Sequence, residues 1–368
     1  MRRLALFFIV ASAVAAASRA SPPPVEATFP GFNGKVVFTT DVDGNEELYS
    51  MNPDGSSLTR LTNNPATDRF PAASSDGARI AFTSNRDGDH EIYVMNTDGT
   101  GLTQLTNNTT FETQPVWSPD GSKIAFHTNR DGNVEVYVMN ADGTQQENVT
   151  NHPSADFDAD WSPDGETIAF GSSRNGEPGI FLMEADGDSQ QFLVQGDLAS
   201  WSPDSARLAF QTTANDGADV EVAVVNADGS GQEAITSNDA HDFGPVWSPD
   251  GRFLLVDRLE NSVDTLWRIR LDGGAATALP SPGIFNGFAD WAPLIAKSGD
   301  ANCDDTVNAV DALHDLRYVA TIGNAPDCIT AGNVKCDDSL TAVDSLFILR
   351  YVAQLPVSLP VNCPEIGT

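Results

Sequence analysis

The sequence is poor in positive charge and in cysteine, and both shortages narrow what the protein can do. Its 368 residues include 20 Lys and Arg against 52 Asp and Glu, which gives a formal net charge of −32. Such a surface repels nucleic acids and anionic lipids, so we expect neither as a partner. Only four cysteines occur, and all of them follow residue 300. A disulfide framework therefore cannot hold the preceding part of the chain together.

Long apolar runs are also scarce, and the one present lies at the N-terminus. Residues 4–17 are mostly apolar, follow Arg2 and Arg3, and precede a small-x-small site at residues 18–20. This order is typical of a secretory signal peptide, and the run is short for a membrane span. We expect residues 1–20 to be the signal peptide and residues 21–33 to be a linker. The rest is predicted to be a secreted, extracellular or cell-surface monomer without membrane insertion, with the periplasm as the alternative location.

Signatures of catalysis are missing as well. The sequence has no Gly-x-Ser-x-Gly nucleophile elbow and no Ser-x-Asp-x-Gly-x-Thr-Trp box. Four histidines share no repeat position, and we interpret each as a separate loop or surface residue: His90, His127, His152 and His241. We therefore expect a binding protein rather than an enzyme. The alternative is a secreted hydrolase or lyase that degrades polysaccharide with paired carboxylates.

What the sequence does contain is a repeat with a period near 44 residues. A tryptophan, which we call the marker, recurs in five copies, and Ala73 takes its place in another. The markers are Ala73, Trp117, Trp161, Trp201, Trp247 and Trp291. An apolar triplet ending in Phe follows at residues 36–38, 80–82, 124–126, 168–170 and 208–210, with Phe253-Leu254-Leu255 as a degraded sixth copy.

Each repeat predicts four short strands joined by tight turns. In the third repeat these are residues 114–117, 123–128 and 134–139, and a weaker strand that ends near Val149. Asp-Gly pairs between them supply the positive φ that hairpin turns need. Four strands in each such unit predict an all-β, six-bladed propeller over residues 34–295. The first copy lacks a marker strand, and we expect residues 288–291 to supply it and so close the ring.

The repeat also resembles a known family. Val-Trp-Ser-Pro-Asp-Gly-Ser-Lys-Ile-Ala-Phe at 116–126, Asn-Arg-Asp-Gly at 129–132 and Val-Tyr-Val-Met-Asn-Ala-Asp-Gly at 136–143 are similar to the repeat of TolB-type propellers. The resemblance implies a six-bladed propeller. It does not imply one function, because members bind partner proteins or accompany peptidase domains.

An acidic residue stands five positions before four of the markers. These residues are Asp68, Glu112, Asp156 and Asp242. One interpretation is a site for a cation or a cationic ligand at the channel mouth, to which Asp158, Asp160 and His241 could add. The other is that acids cap tight turns there. We expect the propeller to bind a protein or a glycan.

The pattern changes after Pro293, where the spacing of a calcium loop begins. Side-chain oxygens, one backbone carbonyl and a water-holding position are predicted to come from Asp300, Asn302, Asp304, Thr306, Asn308 and Asp311. Ca²⁺ takes six to eight such oxygens. A second loop follows 33 residues later, with Asn333, Asp337, Ser339, Thr341 and Asp344. Lys335 within it would repel the ion, so we expect one firm site and one weak or empty one.

The two loops and their helices resemble a type I dockerin, which we assign to residues 296–368. The resemblance implies calcium-dependent docking to a cohesin-like protein or another surface protein. The family's partner-contacting positions correspond to Ala309, Val310, Arg317, Ala342, Val343 and Arg350. The Ala-Val pairs could equally face the core. Two disulfides are expected among Cys303, Cys328, Cys336 and Cys363, and their pairing is open.

Overall fold

The computed structural model describes residues 33–214, 219–261, 263–279 and 285–293. The predicted signal peptide and the two calcium loops with their helices, partner positions and cysteines lie outside these residues, as does the predicted linker except for Asn33, which begins β1. The described part of the chain forms 24 strands arranged as six four-stranded antiparallel sheets. We number the sheets as blades one to six. None of the described residues belongs to a helix long and apolar enough to cross a bilayer.

The strands follow the chain from blade to blade. Blade one contains β1 (Asn33–Thr40), β2 (Glu47–Met51) and β3 (Thr59–Arg60), and blade two contains β4 (Asp68–Ala73), β5 (Arg79–Ser84), β6 (Glu91–Asn96) and β7 (Thr103–Gln104). Blade three contains β8 (Glu112–Trp117), β9 (Lys123–Thr128), β10 (Glu135–Asn140) and β11 (Glu147–Asn148). Blade four contains β12 (Asp156–Trp161), β13 (Thr167–Ser172), β14 (Gly179–Glu184) and β15 (Gln191–Gln195).

The last two blades and the closing strand complete the set. Blade five contains β16 (Asp197–Trp201), β17 (Arg207–Ala214), β18 (Asp219–Asn226) and β19 (Glu233–Ala234). Blade six contains β20 (His241–Trp247), β21 (Phe253–Glu260), β22 (Val263–Arg270) and β23 (Thr277–Ala278), and β24 (Phe285–Pro293) follows. The inner strands β24, β4, β8, β12, β16 and β20 contact one another in a closed ring around a central channel. This confirms the predicted six-bladed propeller.

The ring closes as the sequence predicts. Strand β24 pairs with β1, with Trp291 opposite Val36 and Ala289 opposite Phe38. The last marker strand is therefore the innermost strand of blade one. Its pairing covers an edge that the first copy of the repeat would otherwise leave open.

The turn after each marker explains the Ser-Pro-Asp-Gly motif. In blade three the Gly121 N–H donates to the Ser118 carbonyl at 2.9 Å, with Gly121 at φ 66°. The Ser118 hydroxyl donates to Asp120 Oδ1 at 2.6 Å and accepts the Lys123 N–H at 2.9 Å. Ser118, Asp120 and Gly121 thus find hydrogen-bond partners within the turn itself.

The core lies between neighbouring blades and is built on the phenylalanine of the triplet. Phe38, Phe82, Phe126, Phe170 and Phe210 have no exposed surface. The predicted sixth triplet is wrong by one residue. Trp247 pairs with Leu254 just as Trp117 pairs with Ile124, so Val256 takes the phenylalanine position. Phe253 misled the prediction because it stands at a strand start that polar or charged residues occupy in the other blades.

Candidate functional site

The four acids predicted at the channel mouth lie at the start of the inner strands, and each lies in its own blade. Asp68, Glu112, Asp156 and Asp242 have no exposed surface. Each forms an ion pair with an arginine of the same blade. Arg86 bonds both oxygens of Asp68, at 2.9 and 3.0 Å. Ligand binding by these four acids stays a prediction, but none offers an oxygen to solvent.

Further contacts enclose these ion pairs. Asn64, Asn108 and Asn238 each donate a side-chain amide to the acid four residues later, at 2.6–2.7 Å. The arginines also lie over aromatic rings: Arg130 over Tyr137 at 4.7 Å, and Arg258 over Trp267 at 4.3 Å. A buried carboxylate needs this degree of pairing because desolvation of an unpaired charge is costly.

Two blades lack the acid, and both also lack the arginine. Blade five has Gly196 at the acid position and blade one has Asn286, and the position that carries the arginine in blades two to four is Ala214 and Val42 in them. The two charges are present or absent together. Mutual neutralisation inside the blade accounts for this correlation, and it favours the structural interpretation of the repeated acids. The polysaccharide-degrading alternative gains nothing from them, because a fully buried acid cannot contact a substrate.

Glu112 differs from the other three acids by its longer side chain, which brings it to Glu91. Burial and then the hydrogen bond between the two carboxyls raise the pKa of Glu91 to about 8. Glu91 also accepts the Asn108 N–H at 2.6 Å. Asp87 and Asp89, in the turn before β6, have carboxylate oxygens within 4.8 Å of Glu91. These three acids are the one such group with metal-ligand spacing in the described part of the chain.

The channel wall is formed by a bulge in each inner strand. Three residues before the marker the backbone turns left-handed, although four of the five described residues there are not glycine. These residues are Phe70 (φ 54°), Gln114 (φ 51°), Asp158 (φ 51°), Leu198 (φ 48°) and Gly244 (φ 57°). A bulge redirects a side chain away from the strand pattern, and a left-handed non-glycine residue there costs free energy. All five line one half of the channel, whose volume is about 180 Å³.

One acid in the wall of this half, Asp158, lies close to an acid of the next blade, Asp197. Asp158 lies in the wall, and burial, then the charge of Asp197, raise its pKa to about 7. Burial also raises the pKa of Asp197. His127 Nδ1 lies 4.0 Å from Asp158 Oδ1 and accepts the Asp158 N–H at 3.4 Å. Burial lowers the pKa of His127 to about 4, so this imidazole is neutral at pH 7.

Two aspartates from opposite blades line both halves of the channel. Asp160 and Asp290 stand one residue before their markers, in blades four and one, which are opposite each other in a ring of six. Asp160 accepts the Trp201 N–H at 2.7 Å, and Asp290 accepts the Ala73 N–H at 2.8 Å, so each ties its blade to the next. Burial raises the pKa of both carboxyls to about 7. Both also line the second half of the channel, of about 170 Å³.

The structure therefore assigns the channel to residues that the repeat analysis treated as secondary or missed. Asp158 and Asp160 lie in the channel as proposed, whereas His241 accepts the Val220 N–H at 3.2 Å at the start of its strand. The interpretation of His127 as a loop or surface residue is wrong: it lies in β9 and is 8% exposed. Asp197 and Asp290 were missed. Comparing the residue one position before each marker would have found Asp290 beside Asp160.

Known proteins share this architecture. Among solved structures, TolB from Acinetobacter baumannii is 22% identical with a TM-score of 0.64, covering 71% of this chain and 67% of that one. A chain of the nidogen/laminin complex is 12% identical with a TM-score of 0.58, covering 71% and 98%. At these identities the similarity shows the fold.

Curated sequences match over shorter stretches. The Tol-Pal system protein TolB of Zymomonas mobilis is 37% identical over 81 residues, which are 22% of this chain and 17% of that protein. An uncharacterized protein of Agrobacterium fabrum is 28% identical over 100 residues, 27% of this chain and 32% of that protein. The chain thus matches a third or less of the length of these relatives.

A family profile covers far more of the sequence. The profile described as "TolB beta propeller domain" matches residues 27–116 and 100–295. These ranges include every marker, every described bulge and all six blades. Because the matches take in well over half of the sequence, the chain belongs to the TolB beta propeller domain family.

Proposed function

We propose that the chain is a binding protein whose propeller receives a segment of a partner protein at the channel half lined by the bulges. The observation that carries this proposal is the bulge itself. The same left-handed backbone recurs in five described blades, yet the residue there is Phe, Gln, Asp, Leu or Gly. A constant backbone that presents different side chains to one cavity is suited to recognition, because binding specificity depends on the side chains.

The size of the cavity supports a single inserted side chain over a glycan. Pockets for small-molecule ligands usually hold about 300–1,000 Å³. This half of the channel holds about 180 Å³, which is room for on the order of six waters at about 30 Å³ each. A peptide side chain suits that volume better than a sugar ring with its hydration shell.

The chemistry of the cavity supports a cationic side chain. Asp158 and Asp197 are close enough for the charge of Asp197 to raise the pKa of Asp158. An inserted ammonium or guanidinium group would relieve that repulsion and favour the ionised carboxylates. Phe70 and Leu198 in the same wall offer apolar contacts for the stem of such a side chain.

A peptide library selected on the propeller tests this proposal. We expect selected peptides to share a Lys or Arg and to bind Asp158→Asn at least several-fold more weakly, because the amide removes the negative charge. Asp188→Asn is the matched control. Asp188 is exposed, and its substitution makes the same change in charge elsewhere on blade four. Peptides without a shared cation, or equal binding to both variants, would contradict the proposal.

We further propose that residues 296–368 form the dockerin-like module and attach the propeller to a cohesin-like or other surface protein, following export by residues 1–20. The support is the duplicated loop-and-helix pattern of the sequence. Calorimetric titration of the full chain with Ca²⁺ tests it. We expect heat of binding that Asp300→Ala and Asp311→Ala remove, with the propeller unfolding transition unchanged. Absence of calcium-dependent heat in the unaltered chain would end this part of the proposal without touching the propeller.

A further inference from the structure

Each of two blade interfaces holds one of the chain's own arginines, half-buried, over a marker tryptophan. Arg79, the first residue of β5, places its guanidinium carbon 4.3 Å from the centre of the Trp117 ring. Its Nη2 donates to the Gly121 carbonyl at 3.2 Å. Arg207, the first residue of β17, takes the same place over Trp247 at 5.0 Å. Both interfaces therefore contain a seat for a guanidinium group on a tryptophan ring, and in the first a turn carbonyl is also an acceptor.

The interface between blades three and four has a different residue at that position. Lys123, the first residue of β9, is exposed. In the described part of the chain no arginine lies over the Trp161 ring. The groove beside Trp161 has a volume of about 700 Å³, against about 230 Å³ for the groove that Arg207 shares with Trp247. The groove of this interface is therefore about three times as large, and Trp161, which lines it, is 7% exposed.

The groove has the chemistry that a guanidinium group requires. Its wall contains Trp161 and the turn at Gly165, which is the counterpart of Gly121 in the next blade. The carboxylates of Asp120, Asp164 and Glu166 line it and are exposed. A planar guanidinium can stack on an aromatic ring and donate to carboxylates and carbonyls together, whereas an ammonium acts as a point charge. The three acids exceed the single positive charge of Lys123.

We propose that this groove is a binding site for an arginine side chain of a partner polypeptide, which takes the place that Arg79 and Arg207 take in their own interfaces. The site lies at the marker end of the inner strands, opposite the end where the buried acids begin them. It is independent of the bulge-lined cavity, and either site can fail without the other.

The test uses the propeller-containing chain labelled with ¹⁵N and a short peptide in which one arginine is the only charged residue. We expect the peptide to shift the Trp161 indole N–H signal, which Trp161→Phe assigns. A peptide with citrulline in place of arginine should cause no shift, and one with lysine should bind about ten-fold more weakly because it lacks the stacked plane. The key variant is Lys123→Arg, which keeps the charge and supplies the groove with its own guanidinium. It should move the Trp161 signal without peptide and block the response to peptide.

A second variant tests whether removal of an arginine creates the same binding site in another interface. Arg207→Lys should open the interface between blades five and six, so that the arginine peptide newly shifts the Trp247 indole signal. The proposal is overturned by any of three results: no indole response up to the solubility limit of the peptide, an equal response to citrulline, or an undiminished response in Lys123→Arg. Binding of lysine and arginine peptides with equal affinity would also overturn the assignment to arginine.

Discussion

Glu91 and Glu112 come from different blades, and their buried carboxyls are close enough across the interface between blades two and three for Glu112 to raise the pKa of Glu91. Only one of two carboxyls in such a pair can ionise easily. The folded protein therefore holds a proton on Glu91 at pH values where an unfolded chain would release it. The stability of the propeller is linked to pH through this pair.

We predict that stability falls as pH rises from about 4.5 to about 8. The folded pKa of Glu91 is raised to about 8 from its ordinary 4.5, so the folded state binds more protons than the unfolded state in that window. Glu112→Asp shortens the side chain to the length found in the other blades and should reduce the slope, to which the raised pKa values of Asp158, Asp160 and Asp290 also contribute. Urea denaturation at several pH values measures it. Glu135→Gln in blade three is the control, because Glu135 faces no second glutamate at the acid position; an unchanged slope in Glu112→Asp would contradict the prediction.

Removal of a single arginine from a buried ion pair should be costly. Arg174→Ala leaves Asp156, which has no exposed surface, without its cation, and we expect a loss of about 3–5 kcal/mol in the free energy of unfolding. The double variant Asp156→Gly, Arg174→Ala introduces the glycine and alanine that blade five has at these positions. It should recover part of the loss, because no unpaired carboxylate is left buried. Arg270→Ala, which breaks the exposed pair with Asp272, should change stability little. Equal effects of Arg174→Ala and Arg270→Ala in urea denaturation would refute the structural role of the buried pair.

Gly196 cannot be exchanged for the acid of the other blades. Its φ is 149°, and a Cβ there would lie 2.6 Å from the Gln211 carbonyl oxygen and 2.6 Å from Phe210 Cδ2. Gly196→Ala should therefore destabilise the propeller by about 1–3 kcal/mol or more. Gly176→Ala is the matched control, because Gly176 also has a positive φ but has open space around its Cα. Thermal unfolding that ranks the two variants equally would mean that backbone strain, and not the close contact, decides the effect.

The closing strand should be as sensitive as any part of the core. Trp291 is 3% exposed and pairs with Val36 in blade one. We expect Trp291→Ala to cost about 3–5 kcal/mol, with hydrogen exchange accelerating first in β1 and β24. Exchange that accelerates uniformly through all blades would show that the ring opens only by complete unfolding.

The period of the repeat was enough to predict the number of blades, the turns and the closure, because each depends on local spacing. Each repeat has the same local features: the marker, the Asp-Gly turns and the Phe of the triplet. Each of these recurs at a fixed position in the strand or turn, so the sequence alone is enough to locate it. The register in blade six was missed because Phe253 extends the apolar run by one residue, and only the pairing of Trp247 with Leu254 resolves it.

The candidate site was harder to predict because its chemistry depends on contacts between blades. The repeated acids were conspicuous in the sequence, yet their arginines lie 16 to 18 residues away and neutralise them. The channel residues vary from blade to blade and leave no repeated signal. His127 of blade three lies near Asp158 of blade four, 31 positions later in the sequence. The spacing within one repeat does not show such a contact between blades.

The pairing of β24 with β1 also constrains how the molecule can assemble in time. A chain that emerges from its N-terminus first has the outer three strands of blade one available early, but their missing neighbour, β24, is the last of the described propeller strands to be synthesised. Contacts between such distant parts of a chain slow folding. Until Trp291 arrives, β1 has an unpaired backbone edge, and a nascent propeller in that state is a candidate for protection by chaperones or for pairing with the wrong strand.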